Sequence, residues 1–475
     1  MNRTLKKRKG KQKGKQKEFT LNGNMWNVMF QLSWPAVIAM ILYGLNAFID
    51  GVFVGNFVGE TALAGVSFAY PLTQISLGLG SLIGVGAGSA LSIALGKNDK
   101  KTQDRLIGNV NYLSLIITAI FMVLGLVFSS QLIKIMGGQG QTLDIGNSYF
   151  RITILGSLFW VYGLAGNMIV RAEGKMKSAA IMMASGLIVN VIANYIFIVI
   201  LDFGVEGAAW GTNIGMGVYS LVNIIYFGRG FSSFKTRVFS FNRDKEIIKQ
   251  ILGLGASSMI MSVMSVVQGA VVLNAISKYG SIEDIAFYGA AFRIFTLSLT
   301  PIMGLMRALQ PVTGINYGAG KYERVISGYK TFAIAAATLT LPFWFISMVR
   351  PDFVLSLISN EIVNATNLLY FRLQMSIIPM LSLVFMGMTF FPSIDKGKPA
   401  AIIGIVRQVI FYIPVMIFLP RILGVAGVYY GALGIDIFIV VWTSLWVKKE
   451  FSKLREVQKE IRHLKNKNIA LELER

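Results

Sequence analysis

The sequence predicts an all-α integral membrane protein: twelve transmembrane helices in two parallel six-helix repeats, folded as two lobes. Three observations lead there. First, the chain repeats itself. Tyr149-Phe150-Arg151 returns as Tyr370-Phe371-Arg372, Gly204-Val205-Glu206-Gly207 as Gly424-Val425-Ala426-Gly427, and Lys177-Ser178-Ala179-Ala180 as Lys398-Pro399-Ala400-Ala401, at a nearly constant offset. One long period in an apolar chain points to a two-lobed membrane transporter, whereas solenoids repeat every 20 to 50 residues. Second, apolar residues make up 54% of the chain and charged ones only 14%, well under the roughly 25% of soluble domains. Third, the net charge of +22 is concentrated at one set of loops. An even number of spans per half makes the second half enter from the same face as the first, so the pseudo-twofold axis runs along the membrane normal.

The elements follow in order. Residues 1–25 are a basic tail, and its Lys/Gly/Gln tract over 1–19 predicts disorder. The next apolar stretch exceeds the core of a signal peptide and lacks a small-residue cleavage site, so it reads as a retained first span. Stretches long enough to cross a bilayer fall near 28–54, 63–95, 106–129, 147–170, 179–201 and 206–227 in a first lobe over 26–228. A linker follows at 229–249. The second lobe, 250–447, holds spans near 250–277, 285–317, 325–348, 366–392, 400–419 and 424–447. Residues 448–475 form a basic amphipathic tail with Phe451, Leu454, Ile461 and Leu464 on one helical stripe. It either lies on the membrane surface or extends the last span into solvent.

Most of the 45 Lys and Arg lie in the two tails and in the loops at 96–106, 171–178, 228–250, 318–330 and 393–408, all on one side of a twelve-span chain. The opposite loops hold little beyond Lys134, Lys278, Arg350 and Arg421. That asymmetry places both termini in the cytoplasm of a multi-pass cell-membrane protein. It also accounts for the net charge without a nucleic-acid partner.

Several chemistries are excluded. His463 in the tail is the only histidine and there is no cysteine, so a zinc or haem site within the membrane lacks ligands. No Walker A sequence, Ser-His pairing or HExxH occurs. Gly78-Leu79-Gly80 and Gly84-Val85-Gly86-Ala87-Gly88 lie inside an apolar span, where glycines permit close helix packing. An ATP-driven pump, a hydrolase or a lipid-modifying enzyme would lack its working parts. Energy must come from an ion gradient or from the substrate's own, with no cofactor.

Comparing the halves isolates residues specific to one of them. Asp50 is an acid within span 1, and an ionisable group there costs at least about 2.5 kcal/mol to insert, which makes it a functional candidate. Asn190 and Asn194 are four apart on one face of span 5, and Thr212 lies in span 6. Their counterparts Val272, Phe411, Val415 and Ala432 are all apolar. One lobe therefore holds an oxygen cluster with a single negative charge, fit for Na⁺ or H⁺. Conversely, Arg293, Arg307 and Arg407 stand opposite Pro71, Val85 and Gly186. Arg307 lies deepest and needs a carboxylate, helix carbonyls or a bound anion, while Asp436 can serve either Arg407 or Arg307. Arg151 and Arg372 are repeated and read as scaffold. Of the 22 Met, Met182, Met183, Met259, Met261 and Met264 fall on neighbouring spans, and flexible thioethers suit a cavity that accepts several shapes. Asn46, Gln268, Arg293, Arg307 and Met264 are candidates for the wall of that cavity.

Taken together, Leu309-Gln310-Pro311-Val312-Thr313-Gly314-Ile315-Asn316-Tyr317-Gly318-Ala319-Gly320, Val170-Arg171-Ala172-Glu173-Gly174 and the spacing from Pro35 to Asp50 resemble the multidrug and toxic compound extrusion (MATE) transporters of the multidrug/oligosaccharidyl-lipid/polysaccharide superfamily. The resemblance covers residues 26–447. It implies a V-shaped monomer that exports small cationic or amphipathic organic compounds in exchange for Na⁺ or H⁺. In one branch of the family the cation ligands are an Asp in span 1, Asn-x-x-x-Asp in span 5 and a Thr in span 6. Asp50, Asn190 and Thr212 occupy those positions, and Asn194 stands where the second Asp is expected. Arg307 also departs, since the family usually shows a neutral Gln there. The expected function is cation-coupled multidrug efflux by alternating access, with the flipping of a lipid-linked glycan or other anionic amphiphile as the alternative.

Overall fold

The structure, a computed structural model, describes residues 16–357 and 363–473. In the first half, span 1 is Met25–Phe57, span 2 Glu60–Lys97 and span 3 Lys100–Val127. Span 4 is two helices, Gly140–Leu155 and Ser157–Ala172, bent by 52° at Gly156. Span 5 runs Met176–Asn194 and continues as a π-helical segment, Tyr195–Ile200, and span 6 is Gly204–Gly228. In the second half, spans 7 to 9 are Lys245–Tyr279, Ile282–Gly318 and Tyr322–Val349. Span 10 joins Ala365–Ser376 to Ile378–Ser393. Span 11 passes from Gly397–Ile405 through the π-helical Val406–Tyr412 into Ile413–Leu423, and span 12 is Ala426–Leu473.

Ten of these helices, or eleven counting the bent span 4, are apolar enough to cross a membrane by composition. Span 6 is the twelfth: at 25 residues it has the length, but its glycines and its Asn213 and Asn223 dilute its hydropathy.

The repeat extends to the irregularities. Asn24 and Asp244 open the first span of each half as side-chain caps, each accepting from two backbone N–H groups, which replaces hydrogen bonds a helix start otherwise lacks. The fourth span of each half breaks at matching positions, Gly156 and Ile377, and the fifth of each contains a π-helical segment. Hydrophobic periodicity does not encode a change in hydrogen-bond register, so sequence reading misses both.

One predicted boundary needs correction. Residues 16–22 are helical, not disordered: Lys17 Nζ reaches Leu95 O and Asn98 Oδ1 in one half, while Thr20 O accepts from Asn316 Nδ2 and Arg324 Nη2 in the other. The remainder of the tail, 1–15, lies outside the described residues. The C-terminal tail continues span 12 as one helix of 48 residues, so of the two expected arrangements the straight extension holds. Span 1 is also shared. Its start (Met25, Val28, Leu32, Ala36) packs into the core of the second half, and its end (Val54) into the first.

The halves meet along a narrow seam. A Cβ on Gly86 would lie 1.9 Å from Ile251 O, and one on Gly255 1.7 Å from Leu82 O, so spans 2 and 7 touch backbone to backbone. Spans 1 and 8 approach similarly at Val37 and Gly304. Between them, spans 2 and 8 cross where Gly96 faces Gly318 and where Gln310 Nε2 donates to Ser89 Oγ at 3.0 Å. Gly96 and Gly318 are repeat partners, and so are Gly88 and Gln310, whose Nε2 would lie 3.0 Å from a Cβ on Gly88; equivalent residues can touch only on a pseudo-twofold axis. All the close contacts lie in the halves of the spans nearest the basic loops. Farther along, a Cβ added at Gly44, Gly51, Gly269 or Gly289 would meet nothing within 4 Å.

Gly255→Val should destabilise the fold by about 3 kcal/mol or more, since side-chain repacking cannot relieve a clash with backbone. Gly253→Val, two residues away in open space, should leave the unfolding temperature in detergent unchanged. Equal unfolding temperatures for both variants would contradict this seam.

Candidate functional site

Span 6 carries glycines at 207, 211 and 215, one per turn, and span 5 lies against them. An added Cβ would meet Phe197 at Gly207, Asn194 Oδ1 at 2.1 Å at Gly211, and Asn190 Cβ at 2.6 Å at Gly215. This small-residue stripe lets the backbones approach closely and fixes both asparagines, each almost fully buried. Asn194 is the last residue before the π-helical segment, a feature common at functional sites. Asp50 comes in from span 1. Asn194 Nδ2 donates to Asp50 Oδ1 at 2.6 Å, and Asn190 faces the same carboxylate. Asn190 Nδ2 lies 3.4 Å from Thr212 Oγ1.

The four first-half residues singled out in the sequence thus converge on one place. The buried Asn194 Oδ1 has no hydrogen-bond donor among the described residues, and a carboxylate beside amide and hydroxyl oxygens matches the donor set of a monovalent cation. No cluster of three acidic, His or Cys side chains occurs among the described residues, which disfavours a tightly held multivalent ion. Sequence reading missed Tyr149, whose hydroxyl comes within hydrogen-bonding range of Thr212, and Tyr70, close enough to sense the charge of Asp50. Tyr149 belongs to the repeated Tyr-Phe-Arg and so dropped out of a comparison that kept only differences. Its partner Tyr370 does different work, stacking on Tyr429 with centroids 4.5 Å apart.

A second space of about 300 Å³ lies between the lobes, with the seam near one end: Ser89 and Gln310 are in its wall. Met40, Met183, Met216, Met261, Met303 and Met306 supply much of its apolar surface. Arg307 lines it, as expected. So does Arg171, which the sequence places in a basic loop. Arg171 instead sits on the last turn of the helix ending at Ala172 and is only 4% exposed. Met264 and Arg293 are not in this wall, and Arg293 is exposed. The side chain of Asn46 lies outside the described residues.

Gln268 lines a smaller pocket within the second lobe, beside Tyr412, Arg407 and Asp436. There Arg407 pairs with Asp436, Nε and Nη2 each 2.9 Å from Oδ1. Asp436 is therefore the mate of Arg407, which leaves Arg307 without it. Arg372 holds Met348 O at 3.0 Å, in keeping with a scaffold role.

Gly211→Ala should push Asn194 off Asp50 and remove most of any Na⁺- or proton-dependent thermal stabilisation; a variant stabilised as the wild type is would show that the pair does not form the site. Asn194→Asp places two carboxylates where 2.6 Å now separates amide and acid, and such a pair shares a proton. Its cation-dependent stabilisation should become strongly pH-dependent across the neutral range, and a profile identical to wild type would contradict the geometry.

Comparison with known proteins bears on the family and the fold. The family model described as MatE matches twice, at residues 35–196 and 257–418, and the second match begins 222 positions after the first. The multidrug export protein MepA of Staphylococcus haemolyticus is 27% identical over 413 residues, covering 86% of this chain and 90% of the relative. Among solved structures, an outward-facing multidrug resistance MATE family transporter of the MOP superfamily superimposes with a TM-score of 0.85 at 25% identity, over 92% of this chain and 98% of that one. A MOP superfamily transporter from Pyrococcus furiosus, described as having a binding pocket of reverse polarity that suggests a different function, superimposes with a TM-score of 0.84 at 26% identity, over 92% of this chain and 98% of that one.

Proposed function

The chain belongs to the MatE family, and we propose that it is a secondary active exporter of small amphipathic compounds, driven by exchange for Na⁺ or H⁺ bound at Asp50. The observation that carries this reading is the Asp50–Asn194 contact on the first-lobe oxygen cluster. A carboxylate in a low-dielectric span is costly unless neutralised. The amide N–H of Asn194 occupies the position on Asp50 that a bound cation takes, and displacing it moves spans 1 and 5 relative to each other. Because span 1 packs on both halves, a shift there is felt by both lobes.

The basic loops mark the cytoplasmic side by their charge. With the seam closed on that side, the cavity between the lobes faces outward, and export is completed when the seam opens to the cytoplasm and the opposite ends close. On this reading the protein sits in the cell membrane with both termini in the cytoplasm. The likeness to an outward-facing family member and to a multidrug export protein supports the same reading. The cationic cavity wall favours one alternative, the flipping of a lipid-linked anionic amphiphile.

In inside-out vesicles, uptake of a panel of dyes of both charges should follow an imposed Na⁺ or pH gradient. Asp50→Asn should reduce uptake to the level of vesicles without the protein. Unchanged gradient dependence in that variant would remove Asp50 from the coupling site.

A further inference from the structure

The cavity between the lobes holds two guanidiniums and no carboxylate. Arg171 comes from the end of span 4 and Arg307 from the middle of span 8, and the two are close enough to repel each other. Neither forms an ion pair among the described residues. Their recorded hydrogen-bond acceptors are thioether sulfurs, Met183 Sδ at 3.9 Å for Arg171 and Met168 Sδ at 3.6 Å for Arg307, which are weak acceptors. Two other buried charges, unlike these, have opposite partners. Arg407 has Asp436, and Glu173, two residues after Arg171, is taken by Lys175, Tyr226 and Ser233.

A guanidinium offers about five N–H donors in a planar fork that matches carboxylate, sulfonate or phosphate oxygens. Two such forks facing one cavity, with only thioether acceptors among the described residues, leave a strong demand for an anion. Most of the rest of the wall is methionine, aromatic, leucine and serine side chains, suited to an apolar body of variable shape. A cationic drug would meet two like charges and no opposite one.

We propose that this cavity binds amphiphiles with an anionic headgroup, held between Arg171 and Arg307 while the methionines take the apolar body. The proposal rests on the exporter reading and names its substrate class. The same acid chemistry is offered by a free organic acid and by an anionic lipid headgroup.

The test uses the purified full-length chain in nonionic detergent, with two three-ring dyes of similar size and opposite charge, fluorescein and ethidium, followed by fluorescence anisotropy. Fluorescein should bind at least about tenfold more tightly than ethidium, and Arg307→Gln should weaken fluorescein by about tenfold or more, as loss of a buried charge partner does. Arg307→Lys should retain most of the binding, and Arg307→Glu should reverse the preference. Ethidium binding as tightly as fluorescein to the unaltered protein, or fluorescein binding unchanged in Arg307→Gln, overturns the proposal, and the first comparison needs no variant to fold. Competition separates the two sources: displacement of fluorescein by short-chain phosphatidylglycerol but not phosphatidylcholine supports a lipid headgroup, and displacement by neither supports a free acid. Gradient-driven ethidium transport that is indifferent to Arg307→Gln would sink the substrate class and leave the exporter standing. Arg307-dependent fluorescein binding without transport in any gradient would do the reverse.

Discussion

The contact on which the rest of the structure depends is the crossing of spans 2 and 8. Gly96 meets Gly318 and Gly88 meets Gln310, in each case a residue and its own repeat partner. Such a contact sits on the pseudo-twofold axis, so it positions both lobes at once. On either side, spans 2 and 7 and spans 1 and 8 close against it with backbone contacts that only glycine permits. Because the seam occupies only the basic half of the interface, the two lobes remain separate bodies over the other half, and the cavity lies between them. Rocking of two rigid repeats about a shared site is how such architectures alternate access.

Around this frame the chain leaves its membrane charges in three states. In the second lobe, Arg407 and Asp436 neutralise each other, and opening that pair would strand a buried charge at a cost of about 3–5 kcal/mol. In the first lobe, Asp50 is contacted by Asn190 and Asn194, amides that stabilise a carboxylate without cancelling its charge. Between the lobes, Arg171 and Arg307 have no acid partner among the described residues. A self-neutralised pair is inert, a carboxylate among amides admits a cation, and two guanidiniums held only by thioethers admit an anion. The repeat thus explains how one fold holds dissimilar sites: duplicated helices supply the frame, and each site arises where the halves have diverged.

Much of this was legible in the sequence because divergence between repeats is itself a signal. Asp50, Asn190, Asn194 and Thr212 stood out as polar against apolar partners, and the structure brings all four together. The same comparison hid Tyr149, which is identical in both halves yet lies beside Thr212. Arg171 was misread for another reason. Charge asymmetry treats every cation near a span end as a loop residue, but on the last turn of a helix the facing direction decides, and this one faces the cavity. Gln268 is polar like the cavity wall but turns into the second-lobe pocket, since spacing along a helix does not say which neighbour a face meets. The break at Gly156 and the π-helical segments left no trace in apolar periodicity.

The central claim is that cation binding at Asp50 shifts the two lobes about the seam. The chain has no cysteine, so single labels placed by Phe57→Cys and Leu423→Cys, both exposed at the span ends away from the basic loops, report the opening between lobes directly. Electron–electron distance measurements in nanodiscs should give two populations whose ratio shifts with Na⁺ or with pH, and Asp50→Asn should hold that ratio fixed. A single distance that neither ion moves, or an identical shift in Asp50→Asn, would contradict the account.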